Sequence, residues 1–237
     1  MTLRWKLVDK KQRLMILSHE KKFIFFHVPK TGGSSLAWNL RHVVDTQHQV
    51  PPADLKDGWQ DAVHFDGKQH SSFRDNAALC ERHSDYFKFT FVRNPWDVVL
   101  SWYLALSRKQ PEPVSPERFR EFVVNHLQPF ALTFAKHPIR FLKCRPFGMN
   151  RLIRKNQTFY ITDFQGKVAV DYLARYENYD QEFEYLLKTL RITNYEQKKV
   201  NVANVDKISY PDFYDATSKD LVARIYRKDI ESFGYDF

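Results

Sequence analysis

The sequence predicts an α/β fold, a mainly parallel sheet flanked by helices on both faces, and three recurrences point to it. Lys21 to Val28 (KKFIFFHV) and Tyr86 to Val92 (YFKFTFV) are short apolar runs of buried-strand length, each followed by a turn and then by helical spacing. Val168 to Tyr176 reads as a third strand, with Tyr179, Phe183, Leu186, Leu187 and Leu190 in helical phase behind it. Strands that alternate with helices bury both of their faces, which favours parallel pairing.

The first strand stops at Pro29 and runs into Lys30-Thr31-Gly32-Gly33-Ser34-Ser35, after which Leu36 to Val44 has helical composition. The second gives way to Arg93-Asn94-Pro95; Pro95 suits a first helical turn with Asn94 as its cap, and Trp96, Val99, Leu100, Tyr103 and Leu104 share a face. Ser115-Pro116 opens a helix carrying Phe119, Phe122, Val123 and Leu127 on one side. Residues 129–157 are irregular and basic, with Pro138, Pro146 and Gly148, and read as an insertion that lines a groove for an acidic ligand or forms a solvated loop or small helical lid. The last helix is expected near Thr217, whose spacing to Asp220 resembles a capping box, and it would bury Val222, Ile225, Tyr226, Ile230 and Phe233. Residues 1–20 interleave charge with apolar positions and give no firm element.

At 237 residues, with 43% hydrophobic and 16% aromatic content, the chain suffices for one domain with a full core. A net charge of +9 favours an anionic partner. The basic residues are dispersed and no recognised nucleic-acid motif accompanies them, so nucleic acid is not the expected partner. Cys80 and Cys144 stand far apart, too few for a disulfide framework or a cysteine zinc site, and fit a reducing compartment. No segment reaches the ~18 apolar residues of a membrane span. The expectation is a soluble, cytoplasmic protein.

The glycine turn between strand and helix is a natural phosphate cradle, because glycines admit close approach and the helix start presents free N–H groups. Lys30 adds charge, and Thr31, Ser34 and Ser35 add hydroxyls. A nucleotide-triphosphatase loop reads G-x-x-x-x-G-K-S/T, with its lysine after the glycines. Here Lys30 precedes both glycines, which disfavours a kinase-type loop.

FFHVPKTGGSSL (Phe25 to Leu36) resembles the 5′-phosphosulfate loop of the carbohydrate sulfotransferases, the group of heparan 2-O- and chondroitin-type enzymes and many soluble bacterial members. FVRNPWDVVLSWY (Phe91 to Tyr103) is similar to that family's 3′-phosphate motif, in which an arginine and a serine eight residues apart, here Arg93 and Ser101, hold the 3′-phosphate. The resemblance continues through Asn156-Gln157, Tyr160 to Asp163, Gly166, Asp171, Arg175-Tyr176-Glu177-Asn178, Asn204, Tyr210 and Tyr214. It closes with Asp229-Ile230-Glu231 and Phe233-Gly234-Tyr235, so that it covers most of residues 21–237.

The resemblance implies a P-loop-like fold, the co-substrate 3′-phosphoadenosine 5′-phosphosulfate and a glycan acceptor. By it, Lys30 meets charge on the leaving phosphate, the amides of Thr31 to Ser35 hold the 5′-phosphate, and Arg93 and Ser101 hold the 3′-phosphate. It implies His70 as the general base; His64 is the runner-up, and His27, within the first strand, reads as a satisfied core or loop-packing residue. Gln157 is expected at the acceptor edge, and Lys207 in a loop closing over the nucleotide. Asn94 and Trp96 shape their turn. No His/Cys/Asp cluster has metal-ligand spacing, so no metal is expected. Two other classes stay open: a nucleotide-dependent phosphotransferase, and a non-catalytic module that binds anionic glycans.

Overall fold

The computed structural model describes residues 15–40, 70–108, 110–127, 153–193 and 208–237. Its centre is a four-stranded sheet in the order β1-β2-β3-β4, built from Met15–Ser18, Phe23–Phe26, Phe87–Val92 and Tyr172–Arg175. β2, β3 and β4 run parallel, with Phe26 opposite Thr90 and Val92 opposite Arg175. β1 joins antiparallel, Met15 opposite Phe26, through the hairpin turn at residues 19–22. This edge strand arises inside the first twenty residues, which the sequence reading left without an element; four residues of mixed polarity carry too little periodicity to announce a strand.

The predicted third strand divides. Val168 makes an isolated bridge with Thr162, and only Tyr172–Arg175 joins the ladder. Between them Asp171 turns its carboxylate to accept from the Lys88 N–H at 2.7 Å, in place of a strand carbonyl.

Eight α-helices occur among the described residues: α1 Gly33–Leu40, α2 Ala77–Arg82, α3 Pro95–Ser107, α4 Pro116–Leu127, α5 Thr158–Ile161, α6 Tyr179–Thr189, α7 Ala216–Ile225 and α8 Arg227–Phe233. Period-two alternation sends side chains to opposite faces of the sheet. Ile16, Phe23, Phe25, Phe89, Phe91 and Ala174 pack under α1 and α6; Leu17, Ile24, Phe26 and Val92 pack against α2, α5 and the end of α8. Helices therefore cover both faces, as the buried runs of β2 and β3 require. A third cluster joins α3, α4 and α7, where Phe119, Phe122, Val123 and Leu127 are buried as their spacing predicts. No helix of the described residues is long and apolar enough to cross a membrane.

Asn94 caps α3, its side chain accepting from the Trp96 N–H at 3.1 Å, with Pro95 in the first turn. The C-terminal helix starts differently from the expectation. Asp215, not Thr217, is the cap: its carboxylate accepts from the Ser218 N–H at 2.8 Å and the Ser218 hydroxyl answers its backbone N–H at 3.0 Å, while Thr217 is exposed. A serine at the third helical position closes the box where the sequence reading sought an acidic residue. The helix also breaks at Tyr226 into α7 and α8; Val222, Tyr226 and Phe233 are buried and Ile225 and Ile230 half-buried.

Removing the cap by Asp215→Ala should lower stability by about 1 kcal/mol, the usual worth of such a residue. Urea unfolding measures it; an unchanged midpoint would show that the box contributes nothing.

Candidate active site

Parallel pairing in this register brings three loops to one edge of the sheet: 27–32 after β2, 93–94 after β3 and 176–178 after β4. The carboxyl ends of parallel strands are where open α/β sheets bind ligands. The sequence that follows β2 folds tightly. Thr31, fully buried, donates its hydroxyl to the Val28 carbonyl at 2.9 Å, and the Ser35 and Leu36 N–H groups turn back to the Gly32 carbonyl. Lys30 and Gly32 take left-handed backbone, φ 67° and 83°. The glycine does so at no steric cost, whereas Lys30 adopts a conformation uncommon for its type.

Gly33 answers a different need. A Cβ there would lie 2.3 Å from His27 Cδ2, so the helix can start against the His27 ring only because the position lacks a side chain. His27 is buried, stacks on Phe25 and meets the His70 ring edge-on at 4.7 Å. The expected satisfied core histidine is buried but not satisfied, since its Nδ1 has no hydrogen-bond partner among the described residues. Burial, with the nearby His70 and Lys30, holds its pKa well below the ordinary value, so it is neutral.

His70 Nδ1 lies 2.9 Å from the His27 carbonyl oxygen. A carbonyl only accepts, so Nδ1 carries the proton and Nε2 keeps its lone pair. Burial lowers the His70 pKa, the bond to His27 opposes that shift, and Lys30 adds to it.

Arg93 is fixed on several sides. Its Nε donates to Asp97 at 2.7 Å, Nη1 donates to the Lys30 carbonyl at 3.1 Å, and the guanidinium stacks 4.0 Å above the Tyr176 ring. These bonds take two of its five N–H donors. Lys30 Nζ stands 5.5 Å from the Trp102 ring centre. Burial, followed by the charges of Arg93 and Arg108, brings the Lys30 pKa down to about 8.

The structure thus gathers Lys30, Gly32, Gly33, His70 and Arg93 around one short segment. Ser34 lies in the first turn of α1, and half-buried Ser101 lies on α3 one turn beyond Asp97. The backbone N–H of Ser35 is already bonded to Gly32, as the Thr31 hydroxyl is to Val28, so neither of these two groups is a vacant donor. Gln157 departs from the acceptor-edge expectation: it is only 2% exposed and hydrogen-bonds the Arg93 backbone. His64, Lys207 and residues 128–152 lie outside the described residues. Among the described residues no group of three or more His, Cys, Asp or Glu stands together as a metal site.

Sequence reasoning missed Arg108, Asp97 and Tyr176 as site residues. Arg108 follows Ser101 by seven positions, two turns along the same helix face, a signal that was legible. Tyr176 belongs to Arg175-Tyr176-Glu177-Asn178, whose members brace the site. Arg175 donates to the Phe233 carbonyl at 2.5 Å, and Glu177 accepts from the Asn94 N–H at 2.5 Å and from the Tyr235 hydroxyl at 3.2 Å.

A profile of the sulfotransferase family matches residues 13–236. The chain belongs to the sulfotransferase family. Comparison with curated proteins and with solved structures returns no match. Membership brings sulfonate transfer as the general chemistry, with a nucleotide sulfonate donor and an acceptor, on a P-loop-like α/β fold.

The His27–Gly33 contact yields a test within this sulfotransferase. Gly33→Ala should destabilise the protein by about 1–3 kcal/mol, as overpacking does. In a His27→Ala background the same change should cost much less, because the ring it strikes is gone. Equal costs in the two backgrounds, measured by urea unfolding, would show that the contact is not the constraint.

Proposed function

We propose that the chain, as one catalytic domain, moves a sulfonate group from 3′-phosphoadenosine 5′-phosphosulfate to a carbohydrate hydroxyl. The observation that carries this reading is the bond from Arg93 Nη1 to the Lys30 carbonyl, 3.1 Å, which joins the two motif loops into one cationic edge. Burial and mutual repulsion with Arg93 and Arg108 bring Lys30 down to about 8 there. A nucleotide with anionic groups at both its 3′ and 5′ positions relieves that repulsion, so the donor set fits this co-substrate. The net charge of +9 favours an acidic glycan as acceptor. Two widely separated cysteines favour a cytoplasmic setting.

When bound, the donor supplies a sulfonate already attached to a good phosphate leaving group. The amides of Thr31 through Ser34 form the 5′-phosphate cradle, and Ser34 adds its hydroxyl. Ser35, its amide bonded to Gly32, joins through its hydroxyl. Arg93 and Ser101 hold the 3′-phosphate, the former through the N–H groups that Asp97 and Lys30 do not use. His70 is oriented by its Nδ1–H bond to His27, and its lowered pKa keeps it neutral near pH 7. Its Nε2 takes the acceptor's hydroxyl proton, so that the oxygen can attack sulfur. The ammonium of Lys30 meets the negative charge that develops on the departing 5′-phosphate, an electrostatic contribution of the kind that usually dominates.

The donor assignment is tested by calorimetric binding of 3′-phosphoadenosine 5′-phosphate, AMP and ATP. The 3′-phosphorylated nucleotide should bind best, and Arg93→Ala should weaken it by about 2–4 kcal/mol while hardly affecting AMP. Better binding of ATP, strengthened by magnesium, would instead identify a phosphotransferase.

Lys30 sets a pH dependence. Only its protonated form attracts the nucleotide, and its pKa in the free protein is about 8. Affinity should therefore fall as pH rises through that value. Lys30→Arg, which stays charged, should remove the fall. A flat wild-type profile from about pH 7 to 9.5 would exclude Lys30 as a titrating contact.

A further inference from the structure

We propose that Gln157, seated by the buried carboxylate of Asp229, is a positioning residue for Arg93; this rests on the reading of Arg93 as the 3′-phosphate ligand. Arg93 leaves β3 just where ladder pairing ends, since Val92 opposite Arg175 is the last pair. The next residue, Asn94, is already the cap of α3. Arg93's N–H and carbonyl thus fall between strand and helix and need partners of their own.

One side chain supplies both. The Arg93 N–H donates to Gln157 Oε1 at 2.9 Å, and Gln157 Nε2 donates to the Arg93 carbonyl at 2.7 Å. The two bonds fix which end of the amide is which, because the N–H needs an acceptor and the carbonyl a donor. The pair imitates a neighbouring strand at the one residue where the sheet no longer provides it.

Gln157 is itself held. Its backbone N–H donates to Asp229 Oδ2 at 2.6 Å, while the Thr158 N–H and hydroxyl both donate to Oδ1 at 2.9 Å. Asp229 is fully buried on α8, and its own N–H reaches Asn156 Oδ1 at 3.3 Å. Burial raises its pKa to about 6 against the pull of these donors, so the carboxylate is ionised near pH 7 and accepts each of the three bonds just described. An amide at 229 could not accept at both oxygens, which explains an acid where an isosteric neutral group would be easier to bury.

The consequence is geometric. Arg93 carries its guanidinium at the end of a long side chain, steadied by Asp97, Tyr176 and the Lys30 carbonyl. Those contacts hold the tip, and Gln157 holds the root. With the root released, the guanidinium keeps its charge but loses its aim toward a phosphate.

The experiment compares the affinities of 3′-phosphoadenosine 5′-phosphate and AMP in wild type, Arg93→Ala, Gln157→Met and Asp229→Asn. Gln157→Met keeps length and bulk but removes both bonds. It should cut the preference for the 3′-phosphorylated nucleotide about tenfold while AMP affinity stays within about twofold. In an Arg93→Ala background the same substitution should change neither affinity further, a coupling that a merely structural role would not produce. Asp229→Asn, which loses the acceptor for Gln157, should reduce the preference in the same sense; it decides the matter should Gln157→Met fail to fold. A folded Gln157→Met, or failing that a folded Asp229→Asn, with wild-type preference overturns the positioning role alone. A wild type with no preference, or an Arg93→Ala variant that retains it, overturns the nucleotide reading and this proposal together.

Discussion

The organisation of the site depends on the peptide carbonyls of one four-residue turn, His27 to Lys30. At one end the His27 carbonyl accepts from His70, and at the other the Lys30 carbonyl accepts from Arg93. Between them Thr31 closes on Val28. Groups from two stretches far apart in sequence, His70 and Arg93, are referred to a single piece of main chain. Side chains that bond to backbone inherit its rigidity, and this backbone is the direct continuation of a buried parallel strand.

That arrangement places cations where they repel one another. Lys30 is buried deeply enough, and stands close enough to half-buried Arg93 and exposed Arg108, that it gives up part of its hold on a proton. Asp97 offsets Arg93 only locally. A half-buried charge cluster of one sign is not a device for stability. Its counterpart in the fold is the set of apolar clusters on the two faces of the sheet and between α3, α4 and α7, where the great majority of buried aromatic residues lie.

Much of this was legible. The runs around Phe25 and Phe89 declared buried strands, and the spacing Phe119, Phe122, Val123, Leu127 declared a helix, because burial on a fixed period leaves a fixed pattern. The two motif loops could be read as a pair because both resemble one family's motifs, in the right order and each at a strand-to-helix junction. What could not be read was whatever depends on hydrogen bonds between distant residues. Asp215 displaced Thr217 as the cap because the box needed a serine three residues on, and either pairing was plausible by letter. Gln157 was misread as an acceptor-edge residue because nothing in one sequence tells a buried glutamine from an exposed one. The task of Asp229 is not legible in the sequence, since its partners lie more than seventy positions away. β1 was missed for the simpler reason that four residues on an edge need not alternate cleanly.

The long reach of these contacts bears on what a pair of motifs is worth as evidence. Asn94 donates to the carbonyl of Asp236, a separation of 142 positions, and the Arg93 backbone waits on Gln157 and, through it, on Asp229. A fragment ending anywhere between Tyr103 and α8 would spell out both loops in full and still lack Asp229, on which the setting of the arginine depends. In a truncated gene, a chimera or a metagenomic scrap, the recognisable letters sit in the first half of the chain, while the fasteners that give them shape sit in the second half, some of them in the last ten residues.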